Sequence, residues 1–172
     1  MTHPPGGGRV GTMVEMELIG VRVEVPSNVP IVLLREKDGD ARMLQIFIGG
    51  PEATAIAVAL EGIEPRRPLT HDLVRILLEE LGAVLDQVVI TEVRDNVYFA
   101  ELHLVVPGGT HIVSCRPSDA IALAIRTGAT IHAADEVIDE AGYVEAAGDE
   151  PDDVVEQFKE FIDSVNPDDF GS

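Results

Sequence analysis

Two hydrophobic rhythms alternate along the chain, and the switches between them lay out its elements. In "MVEMELIGVRVEV", residues 13–25, Val14, Met16 and Leu18 fall on one face and Glu15 and Glu17 on the other. That is the period of a half-buried strand, here bent at Gly20. The apolar runs "NVPIVLLRE" and "RMLQIFIG" flank "KDGD", whose Asp-Gly predicts a tight hairpin turn. The first three strands therefore read as a meander. In "GGPEATAIAVALEG" Gly50 precedes a helix, Pro51 takes its first position, Glu52 lies in its first turn and Gly62 follows its end. A helix so uniformly small and apolar is either buried or set in a subunit interface. A second helix, "LTHDLVRILLEELG", has Thr70 as its N-cap, Asp72 in its first turn and Leu73, Ile76, Leu77 and Leu81 as its apolar stripe.

Strand-like segments return between residues 85 and 115, broken by Asp95-Asn96 and by Pro107-Gly108-Gly109, and read as a second meander. "CRPSDAIALAIR", residues 115–126, then opens a third helix, capped by Ser118, built on Ala120, Ile121, Leu123, Ala124 and Ile125, and closed by Gly128. "DEVIDEAG" reads as a short helix. Strands in blocks of three with helices between them predict an α+β fold: two mostly antiparallel three-stranded meanders with intervening short helices, plus a C-terminal amphipathic helix. That last helix is expected from the spacing of Val154, Val155, Phe158, Phe161, Ile162 and Val165. The expected organisation is a disordered Gly- and Pro-rich leader at 1–12, a domain at 13–142 and an acidic tail at 143–172.

Charge alters this picture in one respect. Of the formal net charge of -19, -13 falls from Ala133 onward, where 14 acids meet a single base. An acidic surface repels phosphate backbones and forgoes counterion release, so any binding to nucleic acid should be weak and salt-sensitive. The acidic tail is also a candidate surface for a protein partner. The lone Cys115 excludes an internal disulfide, and "MTHPPGGGRVGTM" lacks the pattern of a signal peptide. A cytoplasmic protein is the expectation. No window approaches the ~18 apolar residues of a membrane span, and no Walker loop or strand-following GxGxxG is present.

Candidate chemistry gathers at three helix starts: Pro51-Glu52, Thr70-His71-Asp72 and Arg116-Pro117-Ser118-Asp119. Each has an ordinary reading, since acids in a first turn and Ser or Thr caps stabilise any helix. His71-Asp72 suggests a metal-binding His-Asp hydrolase, but His3, His103, His111 and His132 supply no matching ligand spacing. Cys115 as nucleophile would need His71 or His111 as its base, and a small buried cysteine is the simpler reading. A more coherent arrangement joins Glu52, Asp72 and Asp119 around a divalent cation such as Mg²⁺ or Mn²⁺, with Arg116 clamping a phosphate and His71 as general acid or base. It requires the three helix N-termini to converge.

The runs "IGGPEATAIAVALEG" (48–62), "RRPLTHDLVRILLEELGA" (66–83), "VVITEVRDNVYFAELHL" (88–104) and "RPSDAIALAIR" (116–126), in that order and spacing, resemble the bifunctional nuclease family. The resemblance covers about residues 13–142. It implies an α+β domain and, as in some members, endonuclease-type cleavage of both RNA and DNA with little sequence preference. The family's motif residues fall on Glu52, Arg67, Pro68, Thr70, His71, Asp72, Arg116, Pro117, Ser118 and Asp119. Catalytic roles are then expected for His71, Asp72, Asp119 and Glu52, and substrate contacts for Arg116, Arg67, Ser118 and Thr70. The chain departs from the pattern at Ser114, where many relatives carry an acid, and at Thr130, where many carry Pro. The acidic tail stands where some relatives append a helical UvrB/UvrC-type module.

A second function class stays open. A non-enzymatic, homo-oligomeric scaffold or regulator would use the small-residue helix from Ala53 to Leu60 as its interface and the motif residues as caps and contacts.

Overall fold

A computed structural model of the chain describes residues 11–144. The expected tail helix at 154–165 lies outside the described residues. The elements run β1 (Met13–Glu24), β2 (Val29–Glu36), β3 (Met43–Phe47), α1 (Gly50–Leu60), α2 (Thr70–Glu80), β4 (Val84–Arg94), β5 (Val97–Val106), β6 (Gly109–Cys115), α3 (Pro117–Thr127), β7 (Thr130–Ala134) and α4 (Asp135–Ala141). The fold is mixed α and β.

All seven strands form one sheet in the order β3-β2-β1-β7-β4-β5-β6. The joining element is β7, a five-residue strand that the sequence pattern does not mark. It lies antiparallel to β1 and parallel to β4, and so stitches the two blocks of three into a single surface. The bend at Gly20 is a register slip between Leu18 and Gly20, and the extra residue, Ile19, packs with Ile31, Leu33 and Met43 away from the main core.

Two turns differ in kind. Asp95 and Asn96 both take positive φ, 51° and 61°, which makes the tight two-residue connection expected between twisted strands. The expected Asp-Gly turn between β2 and β3 is instead a longer loop. The buried Glu36 carboxylate there accepts hydrogen bonds from the Arg42 backbone N–H, Nε and Nη2, and this pair closes the loop in place of a two-residue turn.

The helices explain the small residues. α1 buries Ala53, Ala55, Ile56 and Ala57, and α3 buries Ala120, Ile121, Ala122, Leu123 and Ala124. The two pack on each other, and alanines allow that close approach. Burial within its own chain accounts for these four residues of α1. α2 leans on α3 but buries no residue. Most of its expected stripe points outward: Leu73 and Leu77 are half exposed and Leu81, just past the helix, is 75% exposed, while Ile76 is partly buried. α4 inserts Val137 and Ile138 into the main core while touching β3, β4 and β7. Because β3 and β4 are not neighbours, the sheet must curl, bringing the end of β3 toward the β4–β5 turn. Among the described residues no helix is long and apolar enough to cross a membrane.

Candidate functional site

The N-termini of α1, α2 and α3 do converge, and a chain of polar contacts links them. Arg116 immediately precedes α3 as its N-cap residue, in extended conformation. Its Nε and Nη2 donate to the two oxygens of Asp119 at 2.7 and 3.1 Å, and its Nη1 lies 2.9 Å from Oε1 of Glu52 on α1. Asp119 in turn meets Nε2 of His71, on α2, at 2.9 Å. The order across the three helices is Glu52, Arg116, Asp119, His71.

The charges follow from this geometry. Burial alone would raise the pKa of Asp119, but hydrogen bonds from Arg116 and His71 outweigh it and hold the carboxyl below its ordinary value. An ionised Asp119 accepts hydrogen bonds only, so the proton of a neutral His71 sits on Nε2 and leaves Nδ1 as an acceptor. Nδ1 forms no hydrogen bond within the described residues. Arg116 is held more firmly protonated by Asp119 and Glu52. Its side chain is nevertheless 64% exposed, which leaves it open to a ligand.

Asp72 goes elsewhere. Successive residues on a helix point about 100° apart, so His71 and Asp72 reach opposite ends of α3. The Asp72 carboxylate receives Nε of Arg126 at 2.7 Å and the backbone N–H of Leu69 at 2.9 Å. Burial opposes its ionisation, and these two bonds reverse that and lower its pKa. Arg126 also donates to the carbonyls of Ala122 and Ala55 at 2.9 Å each, and only 5% of its side chain is exposed. One buried guanidinium thus ties α1, α2 and α3 together.

The remaining candidates separate in space. Leu69, not Thr70, is the N-cap of α2, and Thr70 is an exposed residue of its first turn. Asp72 supplies the cap contact by reaching back to Leu69, which removes the need for a Thr hydroxyl. Ser118 does not cap α3 either. It is buried in the first turn and lines an open groove. Arg67 is exposed in the loop before α2, and no ion pair involving it forms among the described residues. Cys115 is half buried. Burial first, then the negative charges of Asp119 and Glu101, push its thiol up to about 11, so little of it is thiolate at neutral pH.

The donor set does not fit a resident divalent cation. Among the described residues no three His, Cys, Asp or Glu side chains gather as ligands. The geometry gives the reason: the Arg116 guanidinium stands between Glu52 and Asp119, and Asp72 faces Arg126. The cation between the carboxylates is built into the chain.

The groove beside this cluster has a volume of about 380 Å³ and is walled by the end of β3, the β4–β5 turn and the start of α3. Comparison with known proteins gives this surface its context. Residues 32–146 match the model of the bifunctional nuclease domain. The chain belongs to the bifunctional nuclease family. An uncharacterized protein of Mycobacterium tuberculosis is 45% identical over 165 residues, covering 92% of this chain and 98% of the relative. Bifunctional nuclease 1 of Oryza sativa subsp. japonica is 30% identical over 98 residues, 55% of this chain and 30% of the plant protein. Bifunctional nuclease 1 of Arabidopsis thaliana is 29% identical over 100 residues, 56% of this chain and 31% of its own length. All four family-like runs of the sequence lie wholly within the matched span. The polar cluster Glu52, Arg116, Asp119 and His71 and the Asp72–Arg126 pair therefore belong to the family domain.

Proposed function

We propose that this protein hydrolyses phosphodiester bonds in RNA and DNA with little sequence preference, using His71, Asp119 and Arg116. The observation that carries the proposal is the contact chain across three helix N-termini, with an exposed arginine at its mouth and a histidine oriented by an ionised carboxylate behind it. Arg116 retains N–H groups beyond the three that face Glu52 and Asp119, and a guanidinium fork suits phosphate oxygens. Nδ1 of His71 takes the proton of the attacking water or hydroxyl. A P–O bond forms as the bond to the leaving oxygen breaks, and that oxygen takes a proton from solvent. Asp119 fixes the imidazole tautomer and supports its positive charge. Glu52 is a positioning residue that holds Arg116.

With His71 neutral, the cluster of two carboxylates and one guanidinium carries -1. Phosphate binding is therefore weak on electrostatics alone and requires low salt. The roles proposed for Thr70 and Arg67 are contacts further along the strand. The test is cleavage of single-stranded RNA and DNA by rigorously purified proteins. His71→Ala should reduce kcat by about 10²- to 10⁴-fold, and Arg116→Ala should act mainly on kcat/KM. Equal rates for wild type and His71→Ala overturn the assignment.

The outward stripe of Leu73, Leu77 and Leu81 supports a second reading, a homo-oligomeric scaffold or regulator in which α2 meets a second copy. Sedimentation should then show a species larger than the monomer that Leu77→Glu returns to monomer. A monomer at micromolar concentration removes this reading.

A further inference from the structure

We infer that the groove between β3 and the β4–β5 turn is a base-stacking subsite for single-stranded nucleic acid, with Phe47 as its principal platform. The chain is poor in aromatic residues, with five Phe, two Tyr and no Trp. Four of these lie among the described residues: Phe47, Tyr98, Phe99 and Tyr143. Three of the four, Phe47, Tyr98 and Tyr143, come together in one region, and Phe99 points to the other face of the sheet. Phe47 and Tyr98 line the groove beside Arg116, and the same two residues, with Asn96, also line an adjoining hollow of about 310 Å³ that Tyr143 borders. Phe99 lies one residue beyond Tyr98, with the Arg94 guanidinium 5.1 Å from its ring centre.

Core packing does not account for Phe47. It is 57% exposed, at the end of a strand whose other large apolar residues are buried. An exposed aromatic ring beside a groove is the means by which proteins hold unpaired bases, because every base offers a flat face. Charge assigns the direction. Arg116 is the one charged side chain lining the first hollow, and Glu140 is the one lining the second. A phosphate therefore sits at the Arg116 end while the base turns toward Phe47 and Tyr98. Stacking also answers the difficulty raised by the acidic surface, since it adds affinity that does not depend on neutralising phosphates. A duplex keeps its bases stacked on each other and cannot use the platform. The subsite deepens the nuclease reading, on which it rests only for the placement of the scissile phosphate.

The test separates the two. Fluorescence anisotropy at low salt would compare a labelled single-stranded oligothymidylate, an abasic strand of equal length and the matching duplex, with strand integrity checked on gels. The full-length protein should bind the thymidylate strand more tightly than either comparator. Phe47→Ala should weaken that binding by roughly 5- to 100-fold and leave the abasic strand unchanged, while Phe47→Trp restores it. The logarithmic salt dependence should be shallow, near -0.7 per phosphate engaged. Equal binding of the thymidylate and abasic strands, no binding by wild type, or no effect of Phe47→Ala overturns the subsite. Phe47-dependent binding without His71-dependent cleavage supports the subsite and overturns only the nuclease reading.

Discussion

Asp72 and Arg126 meet at 2.7 Å across the α2–α3 contact, and the same guanidinium holds a carbonyl of α1. Asp72 directly follows His71 in sequence but serves a different purpose. Removing one partner of a fully buried ion pair costs about 3–5 kcal/mol. Asp72 keeps some solvent, so Asp72→Ala should destabilise the fold by about 2–4 kcal/mol, measured by urea unfolding. Arg126→Ala should be at least as severe, because two backbone carbonyls lose their donor as well. A stable Asp72→Ala protein that has lost only activity would sink the structural role assigned here.

Stability should fall in acid for a defined reason. Asp72 and Asp119 both have pKa values lowered in the folded protein, where hydrogen bonds from Arg126 and from Arg116 and His71 outweigh the opposing effect of burial. Their unfolded-state values are near ~3.9. A lowered folded pKa adds stability that is fully present above the unfolded value and is lost as pH falls through the folded one. Thermal unfolding followed from pH 6 to pH 2 should show a decline below roughly pH 4, flatter in Asp72→Asn and Asp119→Asn. An unchanged profile in both variants contradicts the linkage.

Glu52 gives opposite outcomes for two chemistries. As a metal ligand it would be indispensable, and Glu52→Gln would abolish turnover. As a carboxylate that holds Arg116 and repels phosphate, its neutralisation should lower KM for an oligonucleotide while Arg116 stays held by Asp119. Cleavage that depends on His71 should also persist in excess chelator. Collapse of kcat in Glu52→Gln together with chelator sensitivity would restore the cation site. Gly49→Ala offers a milder version, since a Cβ there collides with the Glu52 carboxylate.

Cys115 should be chemically quiet. With its thiol raised to about 11, alkylation by iodoacetamide at pH 8 should run ~100-fold slower than for an unperturbed thiol, and Cys115→Ser should retain wild-type cleavage. Rapid alkylation with loss of activity would bring the cysteine back into the mechanism.

The sequence pattern reveals most elements because each depends on neighbours in the chain. The alternation around Met16, the turn at Asp95-Asn96 and the alanine-rich faces of α1 and α3 are local properties. β7 is too short to show its period, yet it sets the whole topology by joining two blocks that look independent. Helix period places Leu73, Leu77 and Leu81 on one face correctly, but period cannot say whether that face turns inward. At the site, Arg116 and Asp119 are legible as a pair, whereas adjacency in sequence wrongly couples His71 to Asp72. Arg126 carries one usable signal, a cation at the end of a helix that is otherwise small and apolar. The aromatic groove carries none, because Phe47 and Tyr98 come together only through the curl of the sheet.

The three helices share Arg126 as a buried anchor, so they form one body, and sliding one past another would break hydrogen bonds that hold all three. Glu52, Asp119 and His71 ride on that body at fixed mutual positions. Arg116 alone among them projects into solvent. The one exposed guanidinium of the cluster is thus aimed in advance, its direction set by Asp119 and Glu52 and its footing by a helix body that Arg126 locks.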